Sequence, residues 1–271
     1  MNLEATFGTT SPLVGMVHLP ALPGAPDYAG DRTAIREAAL ADARALADAG
    51  FDAVLVENYG DAPYYPDDVP RHVVADLTAV VQSLSDAVDV PVGVNVLRND
   101  ARAALAVAAA TGGAFVRVNV HTGVRATDQG LVSGAAHETL RLRERLDADV
   151  AVLADVAVKH SAAVGDRPLD ERVVETIDRG RADALVVTGA GTGDAVAESH
   201  LDAVVAARAE ATWDVPVFVG SGVTAETVGS ALDVADGAIV GTALKEGGET
   251  AGRVDPGRAR KLVTAAREGE E

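Results

Sequence analysis

Val92-Gly93-Val94-Asn95-Val96-Leu97-Arg98-Asn99-Asp100 runs directly into Ala101-Arg102-Ala103-Ala104-Leu105-Ala106-Val107-Ala108-Ala109-Ala110. The first five residues form a short β-branched run of the kind a strand buried on both faces uses. Polar residues follow, and Asn99 or Asp100 can cap the Ala-rich helix behind them. Strand, polar loop and helix together make one βα unit, and the same order recurs along the chain. The runs fall at 13–18, 53–57, 92–96, 115–119, 150–155, 184–188, 217–220 and 237–241. Between and after them lie helical patterns at 33–49, 73–88, 101–110, 135–146, 170–179, 195–211, 225–231 and 255–267. Eight alternations in 271 residues predict an α/β chain folded as one (β/α)8 barrel of the TIM type, with eight parallel strands. An open doubly wound sheet is the competing fold, but no G-x-G-x-x-G follows the first run. No linker or low-complexity block divides the sequence. Residues 1–271 are therefore expected to be a single domain, with 1–11 and 268–271 as frayed ends.

Composition narrows the function classes. No apolar run reaches the roughly 18 to 20 residues that span a bilayer, and the N-terminus lacks the pattern of a signal peptide, so a cytoplasmic protein is expected. Zero cysteines exclude disulfides, thiolate metal sites and a cysteine nucleophile. The 41 acidic residues outnumber 23 basic ones for a net charge of −18, which argues against nucleic acid as a partner. The acidic side is 26 Asp to 15 Glu, and the basic side 20 Arg to only 3 Lys. This balance suits a cytoplasm holding molar salt, where a Debye length of about 3 Å makes dispersed negative charge cheap. A genome rich in G and C is the plainer explanation for Arg over Lys.

Active sites of such barrels lie at the C-terminal ends of the strands. Those ends supply His18, Glu57, Asn95, Arg98, Arg117, Asn119, His121, Asp155, Lys159, His160 and Thr188. The seventh and eighth runs end in Gly220-Ser221-Gly222 and Gly241-Thr242, where many barrels hold a phosphate. Glycines let backbone N–H groups approach an anion closely, although the same glycines could simply make tight βα turns. Two of the three lysines, Lys159 and Lys245, fall beyond the fifth and eighth runs, where an amine can meet phosphate, act as a base or form a Schiff base.

Glu57, Asp155, His18, Lys159 and His160 are the catalytic candidates, since a carboxylate with a histidine suits proton abstraction beside a carbonyl. Asn95, Arg98, Arg117, Asn119, His121 and Thr188 are candidates for substrate contact. Glu57 and Asp155 could instead form buried ion pairs. His, Glu and Asp also suit a divalent metal ion, which stays possible as a cofactor, but no metal-spaced motif such as H-E-x-x-H occurs. A phosphorylated small molecule is the expected partner, with self-association as a homo-oligomer left open.

Specific strings carry a resemblance. They are 12–20 (PLVGMVHLP), 56–63 (VENYGDAP), 93–100 (GVNVLRND), 117–123 (RVNVHTG), 127–130 (TDQG), and Asp155-Val156 with Val158-Lys159-His160. On these strings the chain resembles the BtpA/SgcQ family from about residue 12 to 267. The resemblance implies a ribulose-phosphate-binding type of barrel, related in architecture to indole-glycerol-phosphate synthase and phosphoribosylanthranilate isomerase. For the cyanobacterial branch it implies a part in photosystem I biogenesis, and for other members a place near sugar uptake. Two functions follow as expectations: a phosphosugar isomerase or lyase, and a non-catalytic assembly factor that uses the barrel as a scaffold.

Overall fold

The computed structural model describes residues 1–156, 158, 160–189 and 196–268. In chain order the elements are α1 (Leu3–Phe7), β1 (Leu13–His18), α2 (Arg32–Ala49), β2 (Ala53–Glu57), α3 (Arg71–Ser85), β3 (Val92–Asn95), α4 (Ala101–Thr111) and β4 (Phe115–Val118). There follow β5 (Val124–Thr127), β6 (Gly130–Ser133), α5 (Ala136–Arg145), β7 (Ala151–Asp155), β8 (Ala162–Ala163), α6 (Leu169–Asp178) and β9 (Ala184–Val187). The chain ends with α7 (Glu198–Arg208), β10 (Val217–Val219), α8 (Val228–Leu232), β11 (Gly237–Val240) and α9 (Pro256–Arg267). The parallel strands close in the order β1-β11-β10-β9-β7-β4-β3-β2, as the eight runs predict.

Two apolar shells hold the barrel, and strand alternation sorts residues between them. Leu13 and Val17 of β1, and Val54 and Val56 of β2, point outward to the helices. Val14, Met16, Ala53, Leu55, Phe115, Leu153, Val186, Phe218 and Ile239 fill the interior. Gly93 and Gly237 give way to the two large rings, since a Cβ on Gly93 would lie 2.2 Å from Phe115 and one on Gly237 2.7 Å from Phe218. Helix ends follow local chemistry. Asp31 caps α2 by accepting from the amides of Thr33 and Ala34, and Asp100 caps α4 through Ala103.

Three features depart from expectation. The segment 1–11 is not a frayed end: Asn2 caps α1, and Phe7 is buried edge-on against Phe115 and Phe218. It plugs the N-terminal end of the barrel, because the apolar interior would otherwise meet water there. Second, β5, β6 and β8 form a small antiparallel sheet beyond the ends of β4 and β7. Third, several strands stop one residue before the apolar run does, and the helix expected at 225–231 begins at Val228. At the far end Glu268 caps α9, and residues 269–271 lie outside the described residues.

Candidate functional site

Alternation carried one step past the apolar interior decides which side chains meet at the barrel mouth. In register His18 pairs with Glu57 and Glu57 with Asn95, and each continues the inward face of its strand. Arg117, Asp155, Thr188, Gly220 and Gly241 continue the inward faces of their strands in the same way.

His18 and Glu57 form the first cluster. His18 Nε2 lies 3.8 Å from Glu57 Oε1, with both side chains almost wholly buried. His18 Nδ1 is 2.9 Å from the carbonyl oxygen of Thr250. A carbonyl can only accept, so Nδ1 carries the proton and Nε2 faces the carboxylate side. The ring of Tyr59 lies 4.9 Å from the imidazole, centroid to centroid.

A second cluster changes the meaning of Asp155. Arg117 donates to both of its oxygens, Nε to Oδ1 at 2.9 Å and Nη2 to Oδ2 at 3.1 Å, and Asn119 donates to Oδ2 at 3.1 Å. Asn95 in turn donates to the Arg117 carbonyl at 3.0 Å and to Asn119 Oδ1 at 3.1 Å. Burial presses on the Arg117 guanidinium, but the charge and hydrogen bonds of Asp155 more than offset it and leave the pKa raised. Asp155 is thus a charge partner inside a buried network, with both carboxylate oxygens taken up by donors from Arg117 and Asn119.

Two cavities open beside these clusters. The first, about 160 Å³, is lined by His18, Arg117, Gly220, Ser221, Gly222, Gly241 and Thr242, with Met16 and Val223 among its walls. Here a Cβ on Gly220 would lie 2.5 Å from Val186, and Gly222 has φ +67°, so both positions of the turn after β10 need glycine. Ser221 Oγ accepts from the Gly189 amide at 2.6 Å. Among the described residues the amides of Gly222 and Val223 have no hydrogen-bond acceptor. The second cavity, about 320 Å³, is lined by Glu57, Tyr59, Tyr64, Leu97, Arg98, Asn119, Asp128 and His160. His18 lines one cavity and Glu57 the other, so the pair sits where the two approach each other.

The sequence profile of the BtpA family matches residues 9–268. The chain belongs to the BtpA family. It is 44% identical to the photosystem I biogenesis protein BtpA of Synechocystis, over 99% of this chain and 92% of that protein. An uncharacterized protein of Thermococcus kodakarensis is 47% identical over 95% of each chain, and a mitochondrial one of Caenorhabditis elegans 31% identical over 95% of this chain and 94% of that one. In fold the chain is similar to a tryptophan synthase structure of Mycobacterium tuberculosis, with TM-score 0.63, 22% identity and 98% of each chain covered. It is also similar to the N-(5'-phosphoribosyl)anthranilate isomerase of Pyrococcus furiosus, with TM-score 0.58, 15% identity, and 95% of this chain and 99% of that one covered.

Other expected residues of this BtpA family chain lie elsewhere. His121 is buried away from both cavities, where its Nε2–H donates to the Gly180 carbonyl at 2.8 Å and burial lowers its pKa. Its position after β4 was visible in sequence, but not that it turns toward the loop after α6. Lys159 lies outside the described residues. Lys245 is fully buried behind β1, and its Nζ donates to the Met16 carbonyl at 3.0 Å, with a pKa pushed down to about 8 by burial. Tyr64 enters the second cavity from the loop before α3 and Asp128 from the tight turn between β5 and β6, with no spacing in the sequence to announce either. Among the described residues no three His, Asp or Glu side chains gather as a metal site, and no helix is long and apolar enough to cross a membrane.

Proposed function

We propose that this BtpA family chain is an enzyme that binds a phosphorylated sugar, or a nucleotide-derived sugar, at the barrel mouth and transfers a proton as an isomerase or lyase. One observation carries this: the glycine turns after β10 and β11 line the same cavity as His18 and Arg117. A phosphate seated at Gly220–Gly222 and Gly241–Thr242 would meet short backbone donors, which keep their strength where salt screens distant charges. With its proton on Nδ1, His18 offers the Nε2 lone pair as a base, and Glu57 stabilises the imidazolium once a proton is taken. Arg117, already neutralised by Asp155, adds a polar wall more than a free charge.

Thermal stability in roughly molar KCl, with inorganic phosphate and a panel of sugar phosphates, tests the assignment. A ligand at about 100 times its Kd adds about 2.7 kcal/mol of stability. The expected result is a selective rise that disappears in Gly222→Asp, which places a carboxylate against the anion. Glu57→Gln should then keep ligand binding and lose turnover. A folded protein that responds to no phosphate overturns the proposal.

A scaffold for assembly is the second reading, and one observation favours it. Val124, Leu131 and Val164 are exposed on and beside the small sheet, where Leu131 and Ala162 both flank Ala126. An apolar face of this kind suits protein contact. Substitutions at the glycine turns would leave such a role untouched.

A further inference from the structure

The orientation of His18 is set from outside its own strand. Residues 242–254, which follow β11, fold back to the mouth so that Thr250 offers its carbonyl to His18 Nδ1 at 2.9 Å. Thr250 Oγ1 also lies 2.9 Å from Thr242 Oγ1, beside the glycine turn. The segment closes on itself: the Glu246 amide donates to the Arg253 carbonyl at 2.9 Å, and the Asp255 amide to the Leu244 carbonyl at 2.8 Å. What fastens it is Asp42, a buried carboxylate in the middle of α2 that lines neither cavity. Asp42 Oδ1 accepts from Arg253 Nε at 2.8 Å and from the Val254 amide at 3.1 Å, and Oδ2 lies 3.7 Å from Lys245 Nζ. Both cations are tied down a second time. Arg253 donates to the Ala38 carbonyl at 2.7 Å, one helical turn before Asp42, and Lys245 to the carbonyl of Met16, two residues before His18.

We propose that Asp42 is a positioning residue for His18: through Lys245, Arg253 and Val254 it fixes residues 242–254, and so holds the Thr250 carbonyl on Nδ1. A buried carboxylate is costly unless donors surround it, and here every donor belongs to the segment that carries Thr250. The carbonyl then selects the tautomer, as outer partners of a histidine do elsewhere. The proposal rests on His18 being the group that moves the proton.

Nitrogen NMR of the full-length chain labelled at histidine reads the tautomer directly, with His18→Gln to assign the signal. Wild type should show His18 in its Nδ1–H form. In Asp42→Ala the ratio of Nδ1–H to Nε2–H should fall about fivefold, the effect of losing one net hydrogen bond. Asp42→Asn keeps an oxygen for Arg253 and Val254 and should recover most of that ratio. Arg253→Met, at a half-exposed side chain, releases one fastening without emptying a buried site, and decides the matter if Asp42→Ala does not fold. An unmoved tautomer in a folded Asp42→Ala, or in Arg253→Met, overturns the proposal. Inorganic phosphate titrated into the same samples separates the two ideas: wild type that binds none removes the phosphate site and leaves the tautomer readable.

Discussion

Replacing Asp155 by Asn removes the charge that compensates a fully buried guanidinium. Breaking such a pair from one side costs about 3–5 kcal/mol, so Asp155→Asn should lower the urea midpoint sharply before any effect on chemistry is read. A midpoint near wild type would mean that another carboxylate carries Arg117. Lys245 gives a second prediction with a definite sign. Its folded pKa, about 8, lies below the ordinary 10.5, so the folded chain gives up this proton before the unfolded chain does. The cost of burying the charge is fully present below about pH 8 and is relieved as pH rises toward 10.5, so stability from this group increases across that window. The difference between wild type and Lys245→Met should therefore move by about 3 kcal/mol in favour of wild type over the window. A flat difference would show that Asp42 keeps the amine at its ordinary pKa. His18, Glu57 and Asp155 were all legible as strand-end residues. Their pairing was not, because parity along a strand says which way a side chain points and nothing about its neighbour across the barrel.

At the scale of elements, α1 shows what periodicity misses. Five residues give too short a pattern to recognise, yet Phe7 closes the barrel against Phe115 and Phe218. Phe7→Ala should cost about 3–5 kcal/mol in urea unfolding, as for other buried aromatics. A loss below about 1 kcal/mol would show that the barrel floor is closed without it. The β5–β6–β8 sheet leaves no pattern in the sequence for a related reason. Its strands are two to four residues long and lie within what reads as connecting loop. The shortening of β3 has another cause: Val96 remains buried past the last ladder pair, so the apolar run outlasts the strand. Helix starts at Asp31 and Asp100 follow from capping chemistry, which is local and therefore readable.

For the whole molecule the net charge of −18 sets the response to salt. Going from about 0.1 M to about 1 M KCl shortens the Debye length from about 10 Å to about 3 Å and screens the self-repulsion of the surface. The thermal midpoint should rise across that range, and a constant or falling midpoint would remove the case for a salt-rich interior. The sequence by itself determined the barrel, the strand ends that form its mouth and the glycine turns after the last two strands. Each of these depends on short-range pattern: apolar runs, caps, and glycines at fixed offsets. Only the tertiary structure decided that Asp155 is bound to Arg117, that His121 turns away, and that Asp42 reaches the mouth through residues 242–254. Those contacts join residues 38 to 212 positions apart, and their partners are selected by closure of the barrel. Closure brings together side chains that no local pattern relates.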